Sequence, residues 1–223
     1  MTLAFKTVGV AGAGAMGRGI AQMCVQAGST VKLHDTQAAA LAKARDDIVA
    51  QWDRMVDKGR LEAGAAASCK QRLQIVDSPG AFADCELVIE AIVERLDVKK
   101  AFFAEVEALV RPGTVLATNT SSLSVTAIAA GMKRPQQVAG CHFFNPVPLM
   151  KVVEVVAGLK TDPSVCEALA RYARSMGHTP VQAKDTPGFI VNHAGRGYTT
   201  EALRLVGECV ADFATVDRIL KDQ

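Results

Sequence analysis

The feature that most constrains this chain is a glycine cluster, Gly12-Ala13-Gly14-Ala15-Met16-Gly17, set between the short apolar runs Thr7 to Ala11 and Thr30 to Asp35. It follows a predicted strand, opens a helical pattern from Met16 to Ala27, and leads to an acid, Asp35, eighteen positions after Gly17. A bare G-x-G-x-x-G also occurs in ordinary tight turns. In a strand, turn, helix, strand context it is a dinucleotide-binding fingerprint. Gly12 permits the turn, Gly14 lets backbone approach a pyrophosphate, Gly17 allows close packing of helix on strand, and the helix N-terminus offers free N–H groups to the anion. A carboxylate at Asp35 can accept both ribose hydroxyls and repels a 2′-phosphate, so the expected cofactor is NAD rather than NADP. The cofactor set read here is Gly12, Gly14, Ala15, Met16, Gly17 and Asp35.

The remaining punctuation predicts an α/β fold of Rossmann type. From Gln37 to about Leu73 the chain is charged and alanine-rich, with Ala44, Ile48, Trp52 and Met55 at helical spacing. That predicts an inserted helical hairpin broken near Gly59 or Gly64. Apolar β-type runs follow at Leu73 to Val76, Leu87 to Ile89, Thr114 to Thr118, Val138 to Phe143, Val152 to Val156 and Thr179 to Gln182. Helical patterns at Val98 to Val110, Val125 to Gly131 and Ser164 to Met176 separate several of them, as a mostly parallel sheet covered on both faces requires. After Lys184-Asp185-Thr186-Pro187-Gly188 no strand pattern returns. Helices are expected from Phe189 to about Val206 and from an N-cap at Thr215. The expected division is a cofactor domain over residues 1–185 and the beginning of an all-helical domain over 186–223. Two such helices make no core of their own, so the sequence reads as stopping within that second domain.

A net charge of +2 and 5% aromatic residues give neither the basic field nor the stacking platform of a nucleic-acid binder. Six cysteines, with no C-x-x-C pair, suit a reducing cytoplasm. No stretch has the length of a membrane span, and no basic region precedes an apolar one as a secretory leader requires. No metal site is expected.

A candidate reaction centre lies at the predicted carboxyl edge of the sheet, where open α/β sheets place their ligands. His142 ends one predicted strand, and Glu154 interrupts the apolar run Val152 to Val156. A charge in such a strand is either wet or paired inside. Facing His142, it would hold one imidazole nitrogen protonated and leave the other free to take a proton. Asn119-Thr120-Ser121-Ser122-Leu123 reaches the same edge, though it also suits a turn and N-cap cluster. Asn192, alone, is a polar helix residue. Cys141 as a nucleophile is disfavoured because strand neighbours face opposite ways. A Ser121 hydrolase lacks the G-x-S-x-G elbow.

These runs, with His142-Phe-Phe-Asn-Pro-Val-Pro, Lys151-Val-Val-Glu154-Val and Asp185-Thr-Pro-Gly-Phe-Ile-Val-Asn192, resemble the L-3-hydroxyacyl-CoA dehydrogenase family over essentially the whole chain. The resemblance implies that His142 is the catalytic base and Glu154 its partner, with Ser121 and Asn192 binding the substrate's reacting oxygens. It places Glu94, Lys99 and Asn119 with the cofactor, the first two around its nicotinamide half. Read alone, Glu94 is a helix-start charge and Lys99 a solvated lysine. It also implies an acyl-CoA thioester substrate whose nucleotide lies on the hairpin. Lys58 suits a phosphate contact, whereas Gln51 stands where some members carry serine. The family continues into a helical domain that forms a homodimer. The segment from Asn192 to Arg204 is similar to the bacterial branch linked to phenylacetate breakdown, which acts on 3-hydroxyadipyl-CoA. Two alternatives stand beside this. β-Hydroxyacid dehydrogenases need a lysine in a later helix, and none occurs between Pro187 and Lys221. A crystallin-like NAD-binding structural protein would have no use for an intact His142 and Glu154.

Overall fold

A computed structural model describes residues 4–221. Its centre is one eight-stranded sheet in the order β3-β2-β1-β4-β5-β6-β7-β8. The strands are β1 (Thr7–Ala11), β2 (Thr30–His34), β3 (Leu73–Ile75), β4 (Leu87–Glu90), β5 (Val115–Thr118), β6 (Val138–Phe143), β7 (Val152–Ala157) and β8 (Thr179–Lys184). The first six run parallel in the doubly wound Rossmann order. β7 turns back antiparallel to β6 and carries β8 parallel to itself.

Central strands without polar alternation must be covered on both sides, and β4, β5 and β6 are buried at every position. Their side chains divide by the period of two. Val10, Leu33, Leu87, Ile89 and Ala117 pack with Ile20, Ile48, Trp52 and Leu169 from α1 (Ala15–Gln26), α2 (Ala38–Asp57) and the sixth helix in chain order, α6 (Pro163–Ser175). Val88, Leu116 and Val138 pack on the other face with Phe103 and Ile128, from α4 (Leu96–Leu109) and α5 (Val125–Ala129). The mostly parallel, doubly covered sheet is therefore as the sequence predicts. The hairpin is α2 with α3 (Ala63–Arg72), and its break falls at Gly59, which has φ +64°, rather than at Gly64 inside α3.

Past β8, α7 (Val191–Gly207) and α8 (Phe213–Lys221) bury no side chain. α7 starts two residues later than the apolar pattern suggests. Gly188 (φ +77°) and Phe189 (φ +48°) are left-handed, which a helix does not allow. The expected N-cap at Thr215 is also corrected. Asp212 precedes α8, its Oδ1 accepts the Thr215 amide at 2.7 Å, and Thr215 is already helical. A carboxylate one position before the helix outcompetes a hydroxyl inside it. Among the described residues, no helix is long and apolar enough to cross a membrane.

Candidate active site

The glycine loop shows why its residues are what they are. Gly12 has φ +102°, and a Cβ there would lie 2.4 Å from the Ala91 carbonyl oxygen. At Gly17 a Cβ would fall 1.8 Å from the Gly12 carbonyl oxygen, so the third glycine closes the loop on itself rather than only packing helix on strand. At Gly14 a Cβ would meet nothing within 4 Å. The protein leaves that side open, as an approaching pyrophosphate needs. α1 has no side-chain cap and no acid in its first turn, so its N-terminal amides are left for a ligand anion.

Asp35 lies one residue past β2 and fixes this loop. Its Oδ2 accepts the Ala13 amide at 2.7 Å and its Oδ1 the Gln37 amide at 2.9 Å. Gly12, Gly14, His34, Asp35, Val98 and Phe102 line a cleft of about 610 Å³ along the carboxyl ends of β1, β2 and β4. A second cleft shares Ala91 and Ile92 with it and is lined by Met16, Glu94, Lys99, Asn119, Ser121 and His142. A third shares Asn145 with the second and carries Ala15, Arg18, Gln51 and Arg54. Lys58, expected at a CoA phosphate, is exposed at the end of α2 and lines none of the three. The hairpin's cation facing a cleft is Arg54.

His142 and Glu154 are direct cross-strand partners in the antiparallel pair of β6 and β7, so the pairing left open by the sequence is made. His142 Nδ1 lies 2.7 Å from Glu154 Oε2, and the two residues are 5% and 0% exposed. The other carboxylate oxygen, Oε1, accepts the amides of Ile190 at 2.9 Å and Val191 at 2.8 Å. One buried carboxylate thus joins the imidazole to the start of α7. Its charge is satisfied by three donors and by the positive end of the helix. The Phe144 and Phe189 rings flank the imidazole, with centroids 4.4 and 5.7 Å away. With Nδ1 engaged, Nε2 is the nitrogen available to a substrate.

Asn119 braces the same edge, its Oδ1 accepting the Phe143 amide at 2.8 Å. Glu94 Oε1 accepts the Thr120 hydroxyl at 2.7 Å and the Ser121 amide at 2.8 Å, which draws the serine run around one carboxylate. Burial pushes the Glu94 carboxyl up, but these donors and the Lys99 ammonium outweigh it and hold the group below its ordinary value. Lys99 is 1% exposed, which overturns the solvated-lysine reading. Its ammonium pairs with Glu90 and lies 3.2 Å from Glu94 Oε2. Asn192 comes close through α7, its amide nitrogen 3.4 Å from the Ser121 carbonyl oxygen. Cys141 faces away and is buried, which pushes its thiol up.

Sequence reasoning missed two residues that shape this edge. Glu90 ends β4 wholly buried, and the rule that singled out Glu154 applies to it equally: an acid closing an apolar strand. Asp185 accepts the Ser124 hydroxyl at 2.7 Å and the Val125 and Thr126 amides at 2.9 and 2.8 Å, capping α5 from the end of β8. No local pattern announces a cap sixty residues away in sequence.

A family profile described as 3-hydroxyacyl-CoA dehydrogenase, NAD binding domain, matches residues 7–186. The 3-hydroxyadipyl-CoA dehydrogenase of Escherichia coli K12 is 47% identical over 222 residues, spanning 100% of this chain and 47% of the relative. A probable 3-hydroxybutyryl-CoA dehydrogenase of Deinococcus radiodurans is 38% identical, over 96% of this chain and 76% of the relative. The crystal structure of 3-hydroxybutyryl-CoA dehydrogenase from E. coli K12 superposes with a TM-score of 0.90 at 48% identity, over 93% of this chain and 44% of that one. The chain thus spans about half the length of both E. coli proteins.

Proposed function

Since the chain belongs to the 3-hydroxyacyl-CoA dehydrogenase family through its NAD-binding domain, we propose that it binds NAD and serves the reversible oxidation of an L-3-hydroxyacyl-CoA to the 3-oxoacyl-CoA. The observation that carries this reading is the Glu154 carboxylate shared between His142 Nδ1 and the first amides of α7. It fixes a general base at the wall of the cleft that adjoins the glycine loop.

NAD, when bound, supplies the hydride acceptor. The open side of Gly14 and the uncapped start of α1 suit its pyrophosphate, and Asp35 its ribose. The chain's own residues supply the rest. His142 Nε2 takes the proton of the substrate hydroxyl during oxidation and returns it during reduction. Glu154 keeps the second nitrogen protonated and stabilises the imidazolium. Ser121 and Asn192 hold the oxygen on which charge develops, while Phe144 and Phe189 exclude water around the ring. The CoA portion follows the third cleft, where Arg18 and Arg54 offer cations to phosphate, and Lys58, exposed just past the end of α2, is a further candidate cation outside that lining. Residues 1–185 form the cofactor unit, and 186–223 belong to a separate helical unit, a division that the unburied faces of α7 and α8 support. The substrate named for the E. coli relative, 3-hydroxyadipyl-CoA, supports an acyl chain with a terminal carboxylate. A homodimer in the cytoplasm completes this proposal.

The test is His142→Gln, assayed by acetoacetyl-CoA-dependent oxidation of NADH beside direct NADH binding. The expected result is a fall in kcat of about a hundred- to ten-thousand-fold with binding unchanged. Near-normal turnover by the variant overturns the assignment.

A further inference from the structure

Behind the serine run lies a charged unit with no role in the proton transfer. Glu90, 0% exposed at the end of β4, accepts the Thr118 hydroxyl and the Ile92 amide, each at 2.8 Å, as well as the Lys99 ammonium. Lys99 is shared with Glu94, whose other oxygen holds Thr120 and Ser121. Every member of the unit is satisfied, which is the condition for keeping buried groups charged. Two carboxylates against one ammonium leave a net charge of −1. Glu94 and Lys99 carry it to the wall of the cleft that also holds His142.

We propose that Glu90, through Lys99 and Glu94, makes this cleft prefer the oxidised over the reduced dinucleotide. The inference rests on the NAD reading above. A ring that takes hydride from the carbon whose hydroxyl His142 deprotonates has to lie in the cleft that His142 lines. The oxidised nicotinamide ring bears one positive charge and the reduced ring none, so binding of the two forms differs by one charge. A fixed −1 nearby favours the first. The Glu154 carboxylate, buried behind His142, is answered by the imidazole and by two backbone amides at the start of α7, and so contributes less. Glu90 sits out of solvent, so its charge is weakly screened by salt. At an effective dielectric of about 20, a unit charge acting over about 10 Å changes relative affinity by roughly tenfold, and partial solvent access at Glu94 reduces that to about fivefold.

A purely structural ion pair would alter stability and leave this ratio unchanged. The experiment therefore measures dissociation constants for NAD+ and NADH, by calorimetry and fluorescence, on the wild-type chain and on Glu90→Gln, Glu90→Asp and Glu94→Gln. Glu90→Gln should raise the ratio Kd(NAD+)/Kd(NADH) about fivefold. Glu90→Asp restores the charge and should return the ratio to within about twofold of wild type. Glu94→Gln removes the same charge from a partly exposed position and should shift the ratio in the same direction. A ratio unmoved in Glu90→Gln overturns the proposal. Should that variant fail to fold, an unmoved ratio in Glu94→Gln overturns it instead. If wild type binds neither dinucleotide, the NAD reading falls and takes this inference with it. Tight binding of both forms with an unmoved ratio sinks this inference alone.

Discussion

Phe103 and Phe213 are the same side chain on two amphipathic helices of one molecule, yet Phe103 is 0% exposed and Phe213 66%. α4, which carries Phe103, lies on a sheet whose strands are apolar on both faces. α8, which carries Phe213, repeats the pattern with Ile219 and Leu220 and meets no such surface. The difference teaches that periodicity states which face of a helix needs covering, not what covers it. Among the described residues, the side-chain hydrogen bonds that join α7 to the body lie at its start, where Ile190 and Val191 donate to Glu154 and Asn192 approaches Ser121. The molecule thus has a region whose stability is its own and a region tethered by a few polar contacts at the reaction centre.

The sharpest way to break this comparison is to make one substitution in both helices. Phe103→Ala should lower unfolding free energy by about 3 to 5 kcal/mol in denaturant titration. Equal losses at positions 103 and 213 would show that α8 is packed after all. Next in size is Glu154→Gln, which probes the tether. It leaves Oε1 able to accept but removes the charge that gathers three donors, for an expected loss of about 2 kcal/mol. Faster amide exchange should appear in the first turn of α7 before it appears in β6 or β7. Exchange that rises evenly would mean the two regions unfold as one.

A gentler effect is expected from pH. Burial holds the His178 imidazole below its ordinary value of 6.5, with the nearby Lys151 charge adding to burial and its hydrogen bond to the Val147 carbonyl opposing them. A histidine whose native value is depressed binds its proton more readily in the unfolded chain. The stability it maintains is full above about 6.5 and is lost as pH falls below that. Tm should therefore decline on acidification through this window, and His178→Gln should flatten the slope. A slope unchanged in that variant places the acid sensitivity elsewhere. The smallest effect is Phe213→Ala, expected within about 0.5 kcal/mol of wild type.

The strands and the cofactor loop were legible because both rest on local chemistry: apolar runs too continuous to face water, and glycines whose spacing only a tight turn explains. Glu154 was legible as a charge within an apolar strand. Glu90 carried the same signal and was passed over, because at a strand's last position a charge is easily taken for the start of a loop. Lys99 shows the opposite failure. Alone it looks solvated, and only the two carboxylates converging from Glu90 and Glu94 hold it inside. Asp185 capping α5 depends on β8 lying beside α5, a tertiary fact no window of sequence contains. Lys58 differs again: it shares a face with Arg54, four residues back, but it lies past the last residue of α2 and so beyond the lining of the cleft.

Asp35 carries a consequence for anyone redesigning this scaffold. Its two oxygens are already committed to the amides of Ala13 and Gln37, so the residue that would choose between dinucleotides also pins the loop that receives them. Exchanging it for a small or basic residue in order to admit a ribose phosphate would unpin that loop in the same stroke. A cofactor swap here is therefore a two-part engineering task. A replacement acceptor for the Ala13 amide has to be installed before selectivity can be altered without losing the grip on the cofactor.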